Sequence, residues 1–391
     1  MKTLTYRHTQ YASYLGYVTQ AIVNNLLPLL LVVFQEQFQV SLELITLLIS
    51  TNFCIQLAVD FLAARVADRI GYRLCIVSAH HFSAAGLIGL AVFPHLLPSP
   101  YLGLLTAVFF YAIGGGLIEV LISPIVEACP TENKASVMSL LHSFYCWGTV
   151  GVIIVSTIFL SIFGKENWHI LVCLWAVLPT VNAIFFTRVP IAKLTEEAET
   201  MSLRELLSER LFWIFVILMI ASGASEQAMS QWASSFAEKG LGVSKAIGDL
   251  AGPCLFSVLM GCSRVFYAKF SERINLLHYM IASGILCIAA YLLSALSSNA
   301  VWGLVGCGLC GLSVGILWPG VFSTALARCR RGGTAMFAYL ALAGDLGCAG
   351  GPAVVGTVAG FFQDQLRFGL LAALIFPIAL ITGCLFLQKR K

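Results

Sequence analysis

The sequence predicts an all-α membrane protein of twelve transmembrane helices, arranged as two pseudo-symmetric six-helix bundles. Three observations predict it: an extreme apolar composition, twelve runs of spanning length, and a repeat that relates the two halves. Of 391 residues, 59% are hydrophobic and only 11% charged, whereas a soluble domain carries about 25% charged residues. A chain this apolar has too little polar surface to stay in water. Its 12% aromatic content and 34 glycines suit packed transmembrane helices, where glycine is commoner than in soluble ones.

A spanning helix needs roughly 20 mostly apolar residues to cross a hydrocarbon core of about 30 Å. Runs of that kind lie near 11–34, 43–66, 74–97, 101–126, 137–163, 168–187, 211–237, 246–270, 277–297, 299–327, 334–360 and 367–387. Every backbone polar group must be satisfied inside the bilayer, so runs this long and apolar are helices. The polar first ten residues and the absence of a small-residue cleavage site predict no cleavable leader. The 13 cysteines are scattered singly through apolar stretches and read as free thiols packed like small hydrophobes.

Charge sets the orientation. Of the 23 Lys and Arg, four (Lys165, Lys239, Lys245 and Arg367) fall on one side and Arg264 falls inside a span; the other 18 gather on the opposite side. By the positive-inside rule that side, which holds both termini, is cytoplasmic. The longest polar segment, 188–210, therefore divides an N-terminal six-helix bundle (1–187) from a C-terminal one (211–391). Its end, "TMSLRELLSER", is able to form a short amphipathic surface helix, although a solvated linker is the plainer expectation. The net charge of +4 is mild and points to no nucleic-acid partner.

The halves correspond in detail. Asp60-x7-Asp68-Arg69-Ile70-Gly71 in and after the second run is answered by Arg264-x7-Glu272-Arg273-Ile274-Asn275 in and after the eighth, a constant shift of 204 residues. The fourth and tenth runs each carry a proline, Pro124 and Pro319, after a glycine-rich entry. Parallel repeats related by an axis along the membrane normal give this pattern.

"ARVADRIGYR", Ala64 to Arg73, resembles the loop between spans two and three that marks the major facilitator superfamily, Gly-x-x-x-Asp-Arg-x-Gly-Arg-Arg/Lys. Asp68, Arg69, Gly71 and Arg73 match; Ala64 and Tyr72 depart. "VNNLLPLLLVVFQEQF", "GGGLIEVLISPIVEACPTE", "SLLHSFYCWGTVG", "GCSRVFYAKFSERI" and "LWPGVFSTAL" are similar, in order and spacing, to the fucose permease branch of that superfamily, the sugar–proton symporters. The resemblance implies the major facilitator fold and a secondary active transporter that imports a small polar solute, a sugar, by proton symport with alternating access. It also implies a multi-pass protein of the cytoplasmic (inner) membrane, needing no cofactor or metal; we expect a monomer whose partners are the substrate, protons and lipid. The family's Asn pair in the first span falls on Asn24 and Asn25, its membrane Glu on Glu119 and its Arg on Arg264. Where the fucose permease places an acid after the Asn pair, this chain has Leu27 and Pro28.

Ionisable residues inside spans cost about 2.5–3.5 kcal/mol each even on the mildest scale, so they face a cavity or a partner. Here they are Asp60, Glu119, Glu226, Arg264 and Asp345. A structural ion pair between helices is the plain alternative for each. At 1.5 Å per residue, Glu119, His142 and Arg264 lie at similar depths, about 9–10 Å from the cytoplasmic side. In the major facilitator arrangement spans five and eight pack together, so the three are expected to meet. Glu119 is the expected proton acceptor, with Arg264 as its partner and His142 and Asp345 as further proton-coupling residues; His142 serves equally well as a hydrogen-bonded interface residue. Burial disfavours an ionised carboxyl and a nearby guanidinium favours it, and alternating the two would load and release a proton.

Polar and aromatic residues in the spans are the expected substrate surface: Asn24, Asn25, Gln56, Tyr145, Glu226, Gln227, Gln231, Trp232, Trp318 and Tyr339. Sugars are held by amide and carboxylate hydrogen bonds and by aromatic faces. The gating candidates are Asp60, Asp68, Arg69, Gly71 and Arg73 in the first repeat and Glu272 and Arg273 in the second. His80 and His81 are neighbours on one helix and so do not share a face. Cys307-x-x-Cys310 lies in an apolar span without further ligands and reads as packing. Gly347-x3-Gly351-Pro352 is explained by close helix packing. The rival on the same fold is a proton-coupled exporter of drugs or amphiphiles. No hydrolase constellation and no phosphate loop appears, so an enzyme is not expected.

Overall fold

The structure, a computed structural model, describes residues 4–40, 42–192, 201–233, 236, 242, 250–297, 299–329, 331–363 and 365–389. Among them every regular element is helical: α1 (Tyr6–Leu29), α2 (Leu31–Phe38), α3 (Leu42–Ile70), α4 (Tyr72–Leu96), α5 (Pro100–Ala128), α6 (Lys134–Phe163), α7 (Trp168–Arg188), α8 (Leu203–Ser208), α9 (Arg210–Ser230), α10 (Leu255–Phe270), α11 (Leu276–Leu296), α12 (Ala300–Val314), α13 (Leu317–Arg328), α14 (Gly333–Phe361), α15 (Leu366–Ala372) and α16 (Ile375–Lys389). Among the described residues ten helical segments are long and apolar enough to cross a membrane, and a shorter apolar stretch covers Thr51–Ala63 in α3. At 24 and 29 residues α1 and α3 are long enough as well, and they carry the amides described below.

The helix starts follow from local chemistry. Ser99 caps α5 by accepting from the Leu102 amide at 3.2 Å, with Pro100 at the first helical position, where its missing N–H costs nothing. Asn275 and Asn299 cap α11 and α12 in the same way, accepting from the His278 and Val301 amides. Gly71 stands at the start of α4 with φ +97°, a conformation open to glycine at little cost. The repeat thus shows in the backbone: the positions that enter α4 and α11 are Gly71 and Asn275, 204 residues apart in sequence. The polar segment after α7 does form a helix, α8. Ser202 accepts from the Glu205 amide at 3.3 Å and Glu205 accepts from the Ser202 amide at 2.7 Å, a reciprocal cap. These bonds hold the Glu205 carboxyl below the usual range. The rest of that segment's charge, Lys193 to Glu199, lies outside the described residues.

Among the described residues, several runs expected to be continuous are broken, two of them for the same reason. The tenth run splits at Gly315–Ile316 and the twelfth at Ala373–Leu374, four residues before Pro319 and Pro377. A proline ring carries no N–H for the carbonyl four residues earlier and clashes with it. The first run breaks at Leu30, whose φ of −99° and ψ of 2° end α1.

The chain forms two compact units. Unit 1 comprises Met1–Pro130, Phe144–Thr200 and Gly333–Ala338; unit 2 comprises Thr131–Ser143, Met201–Gly332 and Tyr339–Lys391. Unit 1 packs around a core that includes Ile22, Leu26, Phe34, Leu90, Leu104 and Trp168. The Trp168 indole N–H donates to Gln37 Oε1 at 2.5 Å. In this unit α4 and α5 approach closely because Gly86 has no side chain: a Cβ there would lie 2.6 Å from Tyr111 Cβ and 2.7 Å from Ala107 O. Gly86→Ala should therefore cost about 1–3 kcal/mol by overpacking, read as a lower thermal midpoint of the purified protein. An unchanged midpoint would show that α4 and α5 separate at no cost.

In unit 2 the start of α6 is stitched to α10 by small polar side chains on one α6 face. Asn133 Nδ2 donates to Ser271 Oγ at 2.9 Å, Ser136 Oγ donates to Ala268 O, and Ser139 Oγ donates to Arg264 O at 2.7 Å. Tyr291 OH ties α11 to α9 by donating to Ser225 O at 2.8 Å. Cys307 and Cys310 are buried on α12 as free thiols; Cys307 Sγ lies 3.6 Å from Met229 Sδ.

Candidate substrate and proton sites

Each unit holds a carboxyl at the end of a chain of amides. In unit 1 the residues come from α1, α3 and α5. Gln20 Nε2 donates to Glu119 Oε2 at 2.9 Å and to Gln56 Oε1 at 3.0 Å. Gln56 Nε2 in turn donates to Asn24 Oδ1 at 2.8 Å and to Asn52 Oδ1 at 2.9 Å, and Asn52 Nδ2 donates to Asn24 Oδ1 at 3.2 Å. Gln20, Asn52 and Gln56 are 1–3% exposed, while Glu119 and Asn24 are half-buried. An ionised carboxylate can only accept, so it fixes Gln20 with its NH2 end towards Glu119, and that choice orders the amides behind it.

The Asn pair divides its work. Asn24 faces the α3 amides, whereas Asn25 Nδ2 reaches Ala21 O at 2.9 Å and Thr149 Oγ1 on α6 at 3.2 Å. Tyr145 is half-buried one turn earlier on α6, and its carbonyl accepts from Thr149 Oγ1. Asp60 is fully buried on α3, one turn beyond Gln56. Gln20 and Asn52 were missed by the sequence reading. The signal was the four-residue spacing of Gln20 with Asn24, and of Asn52 with Gln56 and Asp60, which puts each set on one helix face.

In unit 2 the chain of amides runs along α9. Gln231 Nε2 donates to Gln227 Oε1 at 3.1 Å, and Gln227 Nε2 lies 3.5 Å from Glu226 Oε1. Glu226 Oε2 is 3.5 Å from Arg264 Nη2, both side chains being about nine-tenths buried or more. Arg264 also reaches backbone: Nε donates to Gly315 O at 2.7 Å and Nη1 to His142 O at 2.8 Å. Gly315 O is the carbonyl left without its helical donor by Pro319, so the α12–α13 break and the buried guanidinium answer one another. Arg264 thus faces Glu226, a residue assigned above to the substrate surface. His142 contributes its carbonyl, and its ring stacks 6.0 Å from Phe322.

The aromatic candidates lie against glycines of α14. A Cβ at Gly344 would collide with the Trp318 indole, and one at Gly356 would sit 3.0 Å from Trp232 Cζ2. Trp318 is 8% exposed, and Trp232 is half-buried with its N–H donating to Pro352 O at 3.1 Å. Tyr339 and Asp345 are half-buried on α14.

Of the gating candidates, Arg73 spends its donors on the end of α7. Nη1 donates to Phe186 O and Thr187 O at 2.7 and 2.9 Å, and Nη2 to Val189 O at 2.9 Å. A cation there satisfies carbonyls that have no partner inside the helix. Arg69, Glu272 and Arg273 are exposed, and the Asp68 side chain lies outside the described residues. Among the described residues no group of three His, Cys, Asp or Glu could hold a metal ion.

Similar folds are found among solved proteins. A variant of the Escherichia coli fucose:proton symporter superposes with a TM-score of 0.80 at 15% identity, over 98% of this chain and 99% of its own. The same transporter in an outward conformation gives 0.81 at 16%, over 96% and 98%. A proton:xylose symporter bound to 6-bromo-6-deoxy-D-glucose gives 0.82 at 13%, over 98% and 95%. At such identities the likeness shows the fold. No curated protein sequence matches the chain at a significant level. The family model of the Major Facilitator Superfamily matches residues 13–352, and the chain, a membrane transporter and not an enzyme, belongs to that superfamily.

Proposed function

We propose that the chain imports a small polar solute, a sugar, by proton symport with alternating access across the cytoplasmic membrane, both termini being cytoplasmic. The observation that carries this reading is the half-buried Glu119, held inside a membrane helix by Gln20 at the head of the Gln56–Asn24–Asn52 cluster. A carboxyl in that position can take a proton, and the amides beside it offer the mixed donors and acceptors that sugar hydroxyls need. Arg264 serves as the fixed counter-charge in unit 2. The solved neighbours named as fucose and xylose symporters support the substrate class.

Glu119→Gln keeps the size and most of the hydrogen bonding but cannot ionise. In proteoliposomes it should abolish accumulation driven by a pH gradient while leaving sugar exchange across the membrane intact. Undiminished uphill uptake by this variant would sink the assignment of Glu119.

A further inference from the structure

We propose that Gln20 is the positioning residue that transmits the protonation of Glu119 to the amide cluster, by turning its side-chain amide; this rests on the reading of Glu119 as proton acceptor. Gln20 Nε2 is shared between Glu119 Oε2 and Gln56 Oε1. Its other end, Oε1, is buried and has no hydrogen-bond partner among the described residues, although Gln20 is only 1% exposed. A buried acceptor left unmade costs about 1–3 kcal/mol. The orientation is therefore one that the surroundings of Oε1 do not favour; the Glu119 carboxylate, which can only accept, imposes it. When Glu119 takes up a proton from water its carboxyl gains an O–H donor, and the acceptor that matches it is Gln20 Oε1. A half-turn about the last side-chain bond of Gln20 exchanges Nε2 for Oε1 and makes that bond.

The turn does not stop at Gln20. It sets one amide oxygen against another, Gln20 Oε1 against Gln56 Oε1, so Gln56 must turn as well and donate to Gln20. Gln56 Nε2 then leaves Asn24 Oδ1 and Asn52 Oδ1, the acceptors it now serves. Protonation thereby frees one lone pair of Asn24 Oδ1, the other still taken by Asn52 Nδ2, for a ligand hydroxyl at a residue of the expected sugar surface. No covalent bond other than the carboxyl O–H forms, and deprotonation reverses the sequence. Gly115 keeps space for the rotation: a Cβ there would lie 3.0 Å from Gln20 Oε1 and 2.9 Å from Val23 Cγ1.

Other titratable groups sit on the helices packed around α5, and the test separates them. Asp60 lies one turn from Gln56 on α3, Tyr17 OH bonds Ser123 Oγ on α5 at 3.0 Å, and His80 Nε2 on α4 lies 2.8 Å from Asn182 Nδ2. Infrared difference spectra of the purified full-length protein in lipid, titrated with pH and without any sugar, read both partners. The Glu119 carboxyl band is the one absent in Glu119→Gln and retained in Asp60→Asn; the glutamine amide bands are assigned by side-chain 15N labelling. In the wild type the glutamine bands should change with the same midpoint as the carboxyl band. In Gln20→Met, and in Gly115→Ala, which removes no polar group, the carboxyl band should still titrate and the coupled glutamine change should be lost. Glutamine bands that stay constant through the Glu119 titration, or that change equally in both variants, would overturn the inference and leave Glu119 as the proton acceptor. A Glu119 carboxyl that never titrates would overturn that reading instead.

Discussion

Arg264→Leu is expected to destabilise the protein by about 3–5 kcal/mol, the usual cost of removing one member of a buried ion pair. The variant leaves Glu226 charged and buried, and takes the donors from Gly315 O and His142 O. Part of the loss should be recoverable. In the double variant Arg264→Leu/Glu226→Leu no charge is stranded, and an apolar replacement of a buried pair is often neutral; what remains is about 1–3 kcal/mol for carbonyls left without donors. The double variant should therefore unfold at a higher temperature than Arg264→Leu alone. Additive losses in that cycle would show that the 3.5 Å separation of Arg264 and Glu226 carries no interaction energy.

On the proposed reading of Trp318 as part of a sugar surface, Gly344→Ala should lower sugar affinity about tenfold or more. The Trp318 indole occupies the space into which a Cβ at Gly344 would point, and α14 backbone cannot retreat as a flexible side chain would. The ring must move, and where binding needs it back in its native place the overpacking cost of about 1–3 kcal/mol falls on binding, about 1.4 kcal/mol being a factor of ten in a binding constant. Trp318→Phe in the same background shortens the ring and should restore part of the fold stability without restoring affinity. Titration of a monosaccharide panel against the three proteins distinguishes these effects. Wild-type affinity in Gly344→Ala would remove Trp318 from the sugar surface.

The class of the protein was legible from composition because membrane solvation acts on every residue of a span. The helix breaks were less so. Pro319 and Pro377 are visible in the sequence, but a proline tells only that the carbonyl four residues earlier lacks its donor. Whether the helix ends there depends on a replacement, and for Gly315 that replacement is Arg264, 51 residues earlier. Hydropathy also understates α1, since the polar residues along it, Gln20, Asn24 and Asn25 among them, make this helix less apolar.

The site was legible as a set of residues and less so as a set of partners. Glu119, Glu226 and Arg264 stand out because a charge in a membrane span demands an explanation. Their pairing depends on helix rotation and on which end of an amide faces a carboxylate, and no spacing rule supplies either. Gln20 shows the gap. Its four-residue spacing from Asn24 puts the two on one helix face but names no partner, yet it is the residue through which Glu119 reaches Gln56.

Uptake of monosaccharides into proteoliposomes holding the purified wild-type protein, with and without an inward proton gradient, separates proton symport from passive entry. A sugar identified by its effect on thermal stability should accumulate above its outside concentration while the gradient lasts, and a protonophore should collapse the accumulation. The same sugar entering only to equilibrium, at a rate indifferent to the gradient, would contradict proton symport.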